Sequence, residues 1–255
     1  MANQQTFEIE EIVRTYASRD ELQPPEASIM SQLRDQLPKW RMLDLGVGGG
    51  RTTAHFAPLV RHYVGVDYAQ KMIAACRSRF PEFAEAFHVG DVRSMPNFSD
   101  GSFDFILFSF NGLDYIPHED RLRALREIRR VGAPGGRFCF SSHNLNTRLE
   151  TTLGLPFTWH PLKLANRIVR YLRFQWLMIA FRYKRRTASH AVVNDGAHYF
   201  KSRTYYIKPD AQIGQLTQSG FTDIRVFSLA DGSEITDAGA LRDSTEGWLY
   251  YLCRI

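Results

Sequence analysis

The residues whose types and spacing best suit chemistry lie in Met42 to Thr53, MLDLGVGGGRTT. A short apolar run ends in Asp44, and Gly46, Gly48, Gly49 and Gly50 follow within five positions. A strand that runs into a glycine turn and then opens a helix lets a ligand approach the backbone closely, with the helix amides facing it. Nucleotide-type ligands bind at such places. A phosphate-cradling P-loop needs Gly-Lys-Ser/Thr at its end, where this chain has Arg51-Thr52. The dinucleotide fingerprint G-x-G-x-x-G needs glycine at position 51, which Arg51 occupies. What remains is Asp-x-Gly-x-Gly-x-Gly over residues 44–50. A tight strand-to-helix turn without a ligand would use the same glycines.

Candidate proton-transfer groups lie further along. His143 follows an apolar strand in SSHNLN, and a neutral imidazole there can take a proton from a hydroxyl or ammonium nucleophile. A hydrogen-bonded surface histidine would look the same. His198 and Tyr199, in DGAHYF, form a second candidate pair. The three cysteines, Cys76, Cys139 and Cys253, are far apart, with no CxxC and no His/Cys cluster. They argue for reduced thiols in a cytoplasmic protein and against a metal site.

These residues need elements to hold them. Strand signals fall at 41–45, 63–66, 86–89, 103–108 and 136–141, with helix signals at 52–59, 70–79 and 118–131 between them. Such alternation predicts an α/β fold with a doubly wound, Rossmann-like, mostly parallel sheet. Two amphipathic helices, 8–18 and 29–37, precede it, with QPPEAS read as a break between them. The alternation stops after residue 145 and resumes with a helix at 209–219 and strands at 223–228 and 248–253. Residues 145–204 therefore read as an insertion after strand five, within a single domain spanning 1–255.

The insertion holds the charge anomaly. The chain carries +5, yet residues 151–194 hold eight Lys/Arg and no Asp or Glu, leaving −3 for the remainder. Leu162, Ala165, Val169, Leu172, Trp176, Ile179 and Tyr183 recur at spacings of three and four, which makes one helical stripe. With Phe174, Leu177, Met178 and Phe181 the second half is apolar nearly all round, and the expectation is a helix buried against either the sheet domain or a partner. A lid over the substrate pocket with a solvated basic face is the favoured reading. A basic amphipathic helix on an anionic membrane, and a homodimer contact in place of a monomer, are the alternatives. The start, MANQQTFEIEEIV, lacks the basic and apolar regions of a secretory signal.

The loop LDLGVGGG resembles motif I of the class I S-adenosylmethionine (SAM)-dependent methyltransferases, and further landmarks agree in order. YVGVDYA ends strand two in Asp67, 21 residues after Gly46; VGDVRSMP places Asp91 after strand three; SFDFILFSFNGLDYI and LREIRRVGAPGGRFCFSS resemble the family's fourth and fifth strands. The resemblance covers residues 43–142. It implies a seven-stranded sheet, SAM as cofactor with S-adenosylhomocysteine as product, and no metal. It also implies a cofactor site. Asp44, Gly46, Gly48 and Gly50 form the loop, and Asp67 accepts from the ribose hydroxyls. Asp91 and Val92 lie beside the adenine, and Tyr68 and Met72 line the slot. Ser109 and Phe110 stand at the active-site edge, and Tyr16 closes over the methionine end. Asp67 could also serve as a helix N-cap, a role that the Asp-Tyr-Ala after an apolar strand suits less well, and Phe110 and Asn111 equally suit packing and turn capping.

Members of the family that methylate amino groups of nucleic acids carry Asn/Asp-Pro-Pro-Tyr/Phe where this chain has Ser109-Phe110-Asn111-Gly112. The missing prolines argue against a nucleic-acid partner and for the small-molecule branch. Asn111 and His143, with His198 and Tyr199, are then the candidate catalytic residues. The implied acceptor has an apolar or aromatic body and an anionic group facing the basic insertion.

Overall fold

The computed structural model describes residues 2–147, 161–195 and 202–255. Its centre is a sheet built from β1 (Arg41–Leu45), β2 (His62–Asp67), β3 (Phe87–Val89), β4 (Phe103–Phe108) and β5 (Gly132–Asn144). These five run parallel in the order β3-β2-β1-β4-β5. The expected seven strands are completed on the far side of β5 by β9 (Trp248–Arg254), antiparallel to it, and β8 (Thr222–Ser228), antiparallel to β9. Two strands of the insertion are additional. The hairpin of β6 (His190–Val193) and β7 (Thr204–Ile207) joins the sheet where β7 pairs parallel with His143 and Asn144 of β5.

Both faces of the sheet are covered, so the strands are continuously apolar rather than alternating. Along β1, Leu43 and Leu45 point into one core with Ile106 and Phe138, while Met42 joins Phe105 and Leu107 in the other. The helices α5 (Gln70–Arg79) and α6 (His118–Val131) have the bounds that their periodicity predicts. The first helical pattern begins earlier than expected, as α1 (Ala2–Phe7) and α2 (Glu10–Ala17).

The reading of QPPEAS as a break is corrected. Helix α3 runs Pro24–Leu33, with prolines in its first turn and a capping box between Gln23 and Glu26. Proline is tolerated where no intrahelical N–H is needed, so these residues start the helix.

The insertion contributes α7 (Pro161–Thr187). The expectation that this helix buries against the sheet domain is corrected for its apolar stripe. Val169, Leu172, Trp176, Ile179 and Tyr183 are exposed, and among the described side chains of α7 Phe181 packs, against Leu145, Ala191 and Tyr206. At about 100° per residue, Phe181 lies roughly 160° round the helix from that stripe. Periodicity defines a face but not whether the protein covers it. Among the described residues no helix is long and apolar enough to cross a membrane.

Candidate active site

The glycine loop follows β1 with Gly46, Gly48 and Gly50 at φ of +59°, +56° and +81°. Side chains disfavour this region, so the glycines set the path of the loop. They differ in what they face. A Cβ on Gly46 would lie 2.6 Å from the Phe108 ring, and one on Gly50 would lie 2.5 Å from the Phe80 ring. A Cβ on Gly48 would meet nothing nearer than Tyr16 Cδ1 at 3.6 Å. Space therefore opens beside Gly48, and Gly50 packs inward instead.

That space opens into a cavity of about 730 Å³, counting its open mouth and the solvent in it. Its wall includes Asp44, Gly46, Gly48, Asp67, Tyr68, Met72, Ser109, Phe110 and Tyr16, all expected from the sequence. Asp91, Val92 and Gly50 are not on its wall. The Asp91 carboxylate is taken by Arg93 at 2.5–3.0 Å, while Val92 is part of the core. Burial pushes the Asp91 carboxyl up, but the Arg93 hydrogen bonds outweigh it and hold the group below its usual range.

Two buried acids frame the loop. Asp44 accepts from Thr52 Oγ1 at 2.6 Å and from the Tyr63 hydroxyl at 2.8 Å. Asp67, at the end of β2, accepts from Gly48 N at 3.0 Å and Ala69 N at 2.8 Å. Burial raises both carboxyls to about 6 despite these bonds.

Below them lies a network the sequence reading missed. Glu26 of α3 receives both arms of Arg51 at 2.6 Å, Tyr250 OH at 3.0 Å, and the Ser109 hydroxyl. Arg51 is thereby a buried structural cation as well as part of the wall. The N-terminal helices complete the cavity. Tyr16 and Phe7 of α2 and α1 line it, and a Cβ on Gly49 would strike the Ala17 backbone at 2.4 Å, so α2 lies directly on the loop. Arg19 also lines the cavity, its guanidinium 4.9 Å from the Phe110 ring centre. No carboxylate among the described residues pairs with it.

At the active-site edge Phe110 and Asn111 both take positive φ, 54° and 60°. Two such residues in succession are strained by about 1–2 kcal/mol each. The turn is held by Asn111 N, which donates to Ser141 Oγ at 2.7 Å. Behind Phe110 stands His143. Its Nδ1 is 2.8 Å from Asp114 Oδ2, and the same oxygen accepts its backbone N–H at 2.6 Å. Asp114 is fully buried and its other oxygen accepts from Arg121 at 2.6 Å and Ser142 at 2.8 Å. A carboxylate against Nδ1 favours the tautomer with Nδ1–H, leaving Nε2 as the basic nitrogen. Among the described residues Nε2 has only a long 3.4 Å contact, to Nδ2 of Asn111, and the Oδ1 of Asn111 is buried without a partner. Trp248 and Tyr206 flank the imidazole at 5.9 and 4.9 Å between ring centres.

His143 and Asn111 are thus brought together, next to the cavity and not on its wall. His198 and Tyr199 lie outside the described residues. No group of three or more His, Cys, Asp or Glu among the described residues could hold a metal.

Residues 42–136 match the family model described as methyltransferase domain. Malonyl-[acyl-carrier protein] O-methyltransferase of Erwinia billingiae is 30% identical over 134 residues, 52% of this chain and 49% of that protein. Demethylmenaquinone methyltransferase of Beutenbergia cavernae is 37% identical over 100 residues, 39% of each chain. The chain therefore spans about half the length, or less, of these curated relatives. A solved SAM-dependent methyltransferase of Mesorhizobium loti aligns over 89% of this chain and 98% of its own, with a TM-score of 0.60 and 20% identity. That likeness establishes the fold.

Proposed function

We propose that this chain, whose residues 42–136 match a methyltransferase-domain model, is a class I SAM-dependent methyltransferase that transfers a methyl group to an oxygen or nitrogen of a small-molecule acceptor. The observation that carries this is the Asp114–His143 pair, 2.8 Å apart, set against a cavity that suits the cofactor.

The cavity fits SAM by the chemistry of its donors and acceptors. Asp67 offers a carboxylate for ribose hydroxyls. Met72, Tyr68 and Phe7 offer apolar and aromatic walls, and open space lies beside Gly48. Arg19 is a cation without a carboxylate partner among the described residues, suited to the carboxylate of the methionine end. Asp91 stays with Arg93 and has no part in this reading. When bound, SAM supplies an electrophilic methyl on a sulfonium that leaves as a neutral thioether.

The protein then has to align the acceptor, exclude water and accept a proton. Phe110, Tyr16 and Trp248 form an aromatic wall that excludes water. Asp114 orients His143, and Nε2 takes the proton released by the acceptor's hydroxyl or ammonium. Asn111, with its unpartnered Oδ1, would bind a donor group of the acceptor.

For the acceptor we favour an apolar or aromatic body with an anionic group, on the aromatic wall and the basic insertion. The relatives are named for malonyl-[acyl-carrier protein] and for demethylmenaquinone, and neither name is a nucleic acid. The test is transfer of labelled methyl from SAM into a metabolite extract, partitioned between water and organic solvent. Label in an extracted small molecule, lost in His143→Ala, supports the reading; bound SAM without any transfer refutes it. Replacing Arg167, Arg170 and Arg173 by Gln should raise KM for an anionic acceptor, and an unchanged KM removes the anionic group from the proposal.

A further inference from the structure

We infer that the exposed face of α7 rests on an anionic phospholipid surface. Val169, Leu172, Trp176, Ile179 and Tyr183 are each 60–68% exposed, with Ile168 beside them at 42%. Their spacing of three, four, three and four residues draws a straight stripe about 21 Å long at 1.5 Å per residue. Five large apolar side chains in a row in water are not the scattered exposure that soluble surfaces tolerate. The helix is fixed from its opposite side by Phe181, so the stripe stays outward while the anchor is intact.

Charge selects the occupant. The stripe also has the a/d spacing of a coiled-coil seam, which a second copy of the chain could fill. The α7 of a copy, however, would bring its own exposed Arg182 and Arg186 and no acid from residues 151–194, so it offers these cations no counter-charge. An anionic bilayer supplies the missing charge. Arg182 and Arg186 are exposed near the C-terminal end of the stripe, where long basic side chains can reach headgroups while the apolar face enters the interface. Trp176 and Tyr183 are the residue types that prefer that boundary. Among the described residues no helix can span a bilayer, so α7 would lie in the interfacial plane.

Vesicle binding is separable from methyl transfer because it needs neither cofactor nor acceptor. The intact chain is mixed with vesicles of phosphatidylcholine, with or without phosphatidylglycerol, and floated on a density gradient. It should float with the phosphatidylglycerol vesicles, less so at high salt and little with phosphatidylcholine alone. The triple variant Leu172→Ser, Trp176→Ser, Ile179→Ser should lose about tenfold or more of that partitioning with an unchanged melting temperature, since these side chains hold nothing in the fold. Arg182→Glu with Arg186→Glu should weaken it while leaving the stripe intact. Failure to float, or flotation that the triple variant keeps, overturns the inference. So does a dimer by light scattering that the triple variant splits, which would give the face to a second copy.

Discussion

The two glycines at the head of the loop separate folding from cofactor binding. Gly46→Ala and Gly48→Ala both force alanine into left-handed backbone, at about 1–2 kcal/mol each. Beyond that they diverge. At Gly46 the new methyl would sit 2.6 Å from the ring of Phe108, a core residue that cannot retreat. Overpacking of this kind adds about 1–3 kcal/mol. At Gly48 the nearest atom is 3.6 Å away, ordinary contact, so only the backbone term remains. For a domain of this size each kcal/mol shifts the melting temperature by about 2–4 °C. Gly48→Ala should therefore melt about 2–8 °C below the natural chain and Gly46→Ala further below. The methyl on Gly48 enters the cavity, however, so its loss falls on SAM. Thermal melts with and without a fixed excess of SAM read both effects, because a ligand that binds only the folded state raises the melting temperature by an amount that grows with the logarithm of the ratio of ligand concentration to Kd. Gly48→Ala should fold yet lose most of the SAM-induced rise. A variant that folds and keeps the full rise would refute the placement of the cofactor beside Gly48.

Four further outcomes follow from the same geometry. Asp114→Asn leaves the Arg121 cation buried without its carboxylate, so it should cost about 3–5 kcal/mol of stability by chemical denaturation. In the fraction that folds, it should lower kcat far more than KM and disturb the pH profile, which a purely structural role would not do. Asp67 has a carboxyl raised to about 6 by burial, so SAM affinity should fall as pH drops from 7 to 5 and the acceptor becomes protonated. In Asp67→Asn that pH dependence should vanish from isothermal titrations. The raised values of Asp44 and Asp67 also bear on stability. Their folded forms hold protons at a pH where the unfolded chain has released them, so unfolding free energy should decline as pH rises from about 4 to 6. Asp44→Asn should flatten part of that slope. Glu26→Gln should expose the dependence of the cavity floor on one carboxylate, lowering stability by about 3–5 kcal/mol through the stranded Arg51.

What was legible in the sequence was local. The loop at 44–50 was readable because glycine takes those three positive φ values without steric cost, and α5 and α6 because a single buried face imposes a single period. The rest depends on contacts distant in sequence. Asp114 and His143 are 29 positions apart, and Glu26 and Ser109 are 83 apart, so nothing in either neighbourhood announces the partner. Arg19 is legible only once α2 is seen lying on the glycine loop. The stripe of α7 was read correctly as a face and wrongly as one that packs on the sheet domain, because Phe181, on the other side, makes a contact with the rest of the chain. At Pro24 and Pro25 a rule about helix interiors was applied to a first turn, where it does not hold.

The central claim is that this cavity binds SAM and that Asp67 holds it. Titrating SAM into the purified chain, with NAD as competitor and Asp67→Ala alongside, tests it most directly. SAM should bind, NAD should not displace it, and Asp67→Ala should weaken it by about 1–3 kcal/mol, the cost of losing a charged hydrogen-bonding partner. Displacement of SAM by NAD, or an Asp67→Ala affinity equal to that of the natural chain, would contradict the claim.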